Sequence, residues 1–130
     1  MNEKWRIEAH KLIIKISEET AKAYGVECRI KIVNGYPCLY NEPELTSAII
    51  NKMKLYLGNE NVVELPIRMT SEDFAYYSQI IPACFYRLGT GNIQKGITSP
   101  VHTSTFDIDE NALETGMGLM AWLAYNGNTN

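Results

Sequence analysis

One histidine, His102, stands in the segment Ser99-Pro100-Val101-His102-Thr103-Ser104-Thr105-Phe106-Asp107, and its side chain suits metal or proton chemistry. A neutral imidazole is a good zinc ligand whose second ring nitrogen can be oriented by an outer acceptor. A metal site needs about three or four protein ligands, however. The second histidine, His10, lies beside Glu8, Ala9 and Lys11, where a solvated helix face is expected. The three cysteines, Cys28, Cys38 and Cys84, are widely separated and contain no C-x-x-C pair. They read as reduced packing thiols rather than as a disulfide framework or a zinc cluster. On these grounds alone, His102 reads as an ordinary hydrogen-bonded histidine.

Two other groups could do chemistry. Glu72 and Asp73 are adjacent carboxylates, yet consecutive helix positions point in different directions, so capping and dipole complementation suit them better than acid/base work. The loop Gly89-Thr90-Gly91-Asn92-Ile93-Gln94-Lys95-Gly96 has glycines that invite a phosphate. Its spacing is not G-x-G-x-x-G, and Ile97 and Thr98 stand where a P-loop needs lysine and serine or threonine.

The elements that must position these residues follow from periodicity. Trp5, Ala9, Leu12, Ile13, Ile16 and Ala23 recur at three- and four-residue intervals, predicting an amphipathic helix over about 3–24 that Gly25 stops. Residues 26–33 alternate as a strand does, and Asn34-Gly35-Tyr36-Pro37 ends it. A helix capped by Asn41, with Pro43 in its first turn, should carry Leu45, Ile49, Met53 and Tyr56 and close at Gly58. Residues 61–65 read as a short strand, and Thr70 with Asp73 as a capping box for a helix to about Ile80. Residues 83–88 read as a buried central strand. The last helix should start near Asp107 or Asp109 with Leu113, Met117, Met120, Leu123 and Ala124 inward. Gly116 and Gly118 each cost that helix about 1 kcal/mol relative to alanine, so a close neighbour is expected there. Alternating helices and strands predict an α/β fold.

The 130 residues, 45% hydrophobic and 21% charged, describe a globular chain rather than a disordered one. A net charge of −3 offers no basic excess for phosphates, so no nucleic-acid partner is expected. No apolar stretch approaches the roughly 20 residues that cross a bilayer, and the start lacks a signal-peptide core. No membrane partner is expected, and a cytoplasmic location is.

Met69-Thr70-Ser71-Glu72-Asp73-Phe74 and the His102 segment, at the spacing they show, resemble the C-terminal part of the zinc-dependent amidohydrolases and metallopeptidases of the aminoacylase and carboxypeptidase-G type. The resemblance is specific at Glu72-Asp73-Phe74 and at His102, looser before residue 36, and departs from the usual glycine-like residues at Thr70 and Ser71. It implies an incomplete three-layer α/β/α catalytic domain over residues 36–130, with residues 1–35 the last helix and strand of an inserted lid or dimerisation domain. It also implies that His102 is a metal ligand and that Gly89 and Gly91 let backbone approach the substrate.

In such enzymes zinc, or another divalent metal, activates water for attack on the amide of an N-acyl amino acid or peptide-like substrate, and a glutamate moves the proton. The other ligands and that glutamate match nothing here, so this chain is expected to be a fragment, inactive alone and without a tightly bound metal. A homo-oligomer is expected. The rival expectation is a non-catalytic, self-associating module or truncated relic.

Overall fold

The computed structural model describes residues 3–127. Two compact units emerge: residues 3–40 with Arg68–Ile81, and Asn41–Ile67 with residues 82–127. Four helices carry the architecture, α1 Glu3–Ala23, α2 Pro43–Leu57, α3 Ala75–Ser78 and α4 Asn111–Gly127.

In the first unit α1 forms where the 3.6-residue period predicts it. Gly25, at φ 69°, ends it: the Val26 amide donates to the Ala21 carbonyl at 3.0 Å and the Gly25 amide to Lys22 at 3.1 Å. This reciprocal pair is the Schellman arrangement, for which glycine is suited because it lacks a Cβ. The start of the helix is tied to the segment before the second unit. Glu3 accepts from the Cys38 amide at 2.7 Å, and Arg6 donates to the Tyr36 carbonyl at 2.8 Å. Gln79 donates to the Cys38 carbonyl at 2.9 Å, and Tyr36 meets Tyr76 edge to face with centroids 5.8 Å apart. No residue of α1 is buried, and Trp5 is 72% exposed.

The second unit is built on α2 and α4. Their antiparallel course follows from paired contacts: Lys52 meets Trp122 and Asn126, whereas Tyr56, one turn further along α2, meets Trp122 and Gly118. Met53, Leu119 and Leu123 form the buried centre, flanked by Ile49, Leu57, Val62, Tyr86 and Trp122. Leu119, at 1% exposure, is the largest fully buried side chain, and such burial contributes about 1.5–3 kcal/mol.

Several expectations need correction. The cap of α2 is Glu42, whose carboxylate accepts from the Glu44 and Leu45 amides, and not Asn41. Asn41 instead donates to the Phe85 carbonyl at 2.9 Å and accepts from its amide at 2.8 Å. A side-chain amide offers both a donor and an acceptor and so serves one residue as a strand neighbour would. The α3 helix is one turn long and lacks a side-chain cap, so Thr70 does not cap it.

On α4, Leu123 is buried as expected, but Met117 is 70% exposed, and Leu113, Met120 and Ala124 are exposed too. Leu119 and Trp122 take the inward places. This helix is apolar on more than one face, and periodicity alone does not choose which face a partner covers. Cys28 is exposed rather than packed, while Cys38 and Cys84 are half-buried; all three are free thiols.

No strand occurs among the described residues, and the segments 26–33, 61–65 and 83–88 carry no ladder. The fold described is helical. A strand pattern in the side chains becomes a strand only when a neighbour satisfies the backbone. Glu42, whose amide donates to the Ala83 carbonyl at 2.9 Å, and Asn41 serve part of 83–88 that way.

Candidate functional site

His102 lies exposed at φ 65°, the only non-glycine residue with positive φ among those described. Left-handed backbone costs a residue with a Cβ roughly 1–2 kcal/mol, less for residues such as histidine that enter this region more readily. Short bonds on both sides hold it there. The Ser99 and Thr105 hydroxyls meet at 2.9 Å, Thr103 Oγ1 donates to the Pro100 carbonyl at 2.9 Å, and the Phe106 amide donates to the Thr103 carbonyl at 3.2 Å. The Ser99, Thr103 and Thr105 hydroxyls are thus the braces of the histidine turn.

The glycine loop is closed by its own backbone. Asn92 and Ile97 exchange amide-to-carbonyl bonds of 2.9 Å in each direction, and a short 3₁₀ turn, Ile93–Lys95, lies between them. The Asn92 side chain accepts from the Gln94 and Lys95 amides at 3.0 and 3.2 Å. A Cβ at Gly91 would lie 3.2 Å from the Ile97 carbonyl oxygen, a close approach that the loop itself requires. At Gly89 a Cβ would meet nothing within 4 Å.

Asp109, which the sequence marked only as a possible helix start, is the buried polar centre of this region. Its carboxylate accepts from Lys95 Nζ at 2.7 Å, from the Asn92 side-chain amide, and from the Asn111 amide at 3.3 Å. Its own amide donates to the Thr90 carbonyl at 2.8 Å. Hydrogen bonds from Lys95 and then Asn92 hold the Asp109 carboxyl well below the usual carboxylate range, at about 2, against the opposing effect of burial. The sequence carried no local signal for this cluster, because Asn92 and Lys95 stand seventeen and fourteen positions before the carboxylate they hold.

Glu72 and Asp73 belong to the first unit, and Gly89, Gly91 and His102 to the second. Glu72 accepts from the Phe74 amide at 3.3 Å, so it serves its own turn. His10 lies half-buried on α1. Among the described residues no three histidine, cysteine, aspartate or glutamate side chains come together as a metal site would need. One candidate ligand is present, and the residues around it do not complete a zinc shell.

Residues 2–126 match the model of peptidase family M20/M25/M40, and the chain belongs to that family. The resemblance to metallopeptidases and amidohydrolases is borne out at this level. The chain is 33% identical over 125 residues to thermostable carboxypeptidase 2 of Saccharolobus solfataricus, covering 95% of this chain and 31% of that protein. An uncharacterized hydrolase of Staphylococcus aureus strain N315 is 38% identical over 101 residues, covering 76% of this chain and 26% of its own length. The chain thus spans about a third or less of these relatives. No solved structure matches it significantly. No helix among the described residues is long and apolar enough to cross a membrane.

Proposed function

We propose that this chain is one part of a metal-dependent hydrolase that cleaves N-acyl amino acids or related peptide-like amides, with zinc or another divalent ion as its metal. His102 supplies one ligand, and the backbone at Gly89 and Gly91 faces the substrate. In the complete protein residues 36–130 lie in a three-layer α/β/α catalytic domain and residues 1–35 in a lid that mediates dimerisation, in the cytoplasm. The observation that carries the reading is a family match along almost the whole chain together with a histidine held on a braced turn at positive φ. Backbone held in a sparsely populated region is a recurring mark of functional positions.

Alone, the chain is inactive, because it offers one ligand and no matching general base. Zinc titration and an N-acyl amino acid hydrolysis assay on the 130-residue chain test this. Turnover at background agrees with it, and zinc-dependent turnover that chelation abolishes contradicts it.

A second reading, a non-catalytic module that associates with itself, is favoured by the exposed apolar side chains of α1, including Leu12, Ile13 and Ile16. Sedimentation at tens of micromolar tests this second reading, because a monomer mass removes the self-associating module.

A further inference from the structure

Two residues assigned above to the site, Gly91 and His102, lie on one excursion of the chain, and Asp109 stands at its base. The Lys95 and Asp109 side chains, fourteen positions apart, meet at 2.7 Å, and Asn92, seventeen positions from Asp109, bonds its other carboxylate oxygen. The Asp109 amide reaches back further still, to the Thr90 carbonyl at 2.8 Å. On the far side, Asp109 accepts from the Asn111 amide and its carbonyl accepts from the Ala112 amide at 2.9 Å, which joins the same residue to the first turn of α4. One buried carboxylate therefore fastens the glycine loop, closes the excursion that carries His102, and seats both on the helix that forms half of the α2–α4 core.

We propose that Asp109 is the positioning residue of the candidate site, clamping the Gly91 backbone and the His102 turn into one fixed relation through Lys95 and Asn92; the proposal rests on the reading of those two residues as site elements. The chemistry suits the task. Charge-assisted hydrogen bonds are about twice as strong as neutral ones, and the entropic cost of closing a loop at its base grows only slowly with its length. Lys95 is half exposed and Asp109 nearly buried, so water competes for the cation but not for most of the carboxylate. Among the described residues, the side-chain hydrogen bonds of the excursion beyond the clamp are short local ones, so its placement depends on its base.

The test is amide exchange and proton–nitrogen NMR on the full chain, comparing wild type with Asp109→Asn and Lys95→Met. In both variants the Asn92, Ile97 and Asp109 amides should exchange about tenfold faster, the factor expected for loss of one charge-assisted hydrogen bond. The α2 amides and the Trp122 indole should keep their wild-type rates. The Gly91 amide and the His102 ring signals should shift together, a coupled signature that general loss of stability would not give. Should Asp109→Asn unfold the second unit, Lys95→Met decides, since it leaves the bonds to Asn92 and Asn111 in place. Unchanged exchange at the three amides, or a shift at Gly91 without one at His102, overturns the clamp. Neither readout uses metal or substrate, so a failed zinc or hydrolysis result bears on the hydrolase reading alone.

Discussion

The Tyr56 hydroxyl occupies the space that a Cβ at Gly118 would need, so α2 and α4 approach at a point that glycine allows. Tyr56 is also stacked on Trp122, with centroids 5.9 Å apart and planes at 30°. Moving the tyrosine aside would disturb that stack, worth about 0.5–1.5 kcal/mol.

Gly118→Ala should therefore fail to deliver the gain of about 1 kcal/mol that helix propensity promises and should lower stability by about that amount. In a Tyr56→Ala background the same substitution should become stabilising. Gly116, whose added Cβ would lie 2.9 Å from the mobile end of Leu88, should tolerate alanine with a smaller change. Urea denaturation of the four variants checks the sign reversal.

Trp122 Nε1 donates to the Lys52 carbonyl at 3.1 Å, while the ring packs on the core. Trp122→Phe should cost about 1 kcal/mol, the worth of that bond, and Trp122→Ala about 3–5 kcal/mol through the cavity left behind. Equal losses for the two in thermal unfolding would mean that the indole bond carries the whole contact.

The placement of helices was largely legible, because amphipathic period, proline and glycine act locally. Gly25 and Gly58 stop α1 and α2 as their positions suggest. What the sequence left open depends on partners far along the chain. Asn41 is a good helix cap by type, yet Phe85, forty-four positions on, claims it and leaves Glu42 to cap. The clamp on Asp109 is similarly hidden, since nothing local in Asn92 or Lys95 announces a carboxylate so distant. The positive φ of His102 had no local signal either, since histidine is not a residue whose type demands that backbone.

Acid should weaken the second unit through Asp109. Its folded pKa, about 2, lies below the ordinary value of 3.8. The stabilisation is therefore fully present above the unfolded pKa and is lost as the pH falls from about 4 towards 2. Wild type should lose its advantage over Asp109→Asn across that window. A constant difference in urea midpoint between pH 5 and pH 2 would show that ionisation of Asp109 does not contribute.

At position 102 a glycine should be more stable than an alanine by about 1 kcal/mol, the reverse of the order in a helix, since left-handed backbone penalises the Cβ. Urea midpoints of His102→Gly and His102→Ala in the chain measure this directly. Equal midpoints would mean that the turn relaxes out of its positive φ when the imidazole is gone.

The role of His102 is tested most directly by metal content in a chimera that carries this chain in place of the matched 125-residue region of the Saccharolobus carboxypeptidase. His102→Ala should lower bound metal per chain and activity together, while His10→Ala, on α1, should leave both near the parent chimera. Equal metal content and equal turnover in the two variants would contradict the assignment of His102 as a ligand.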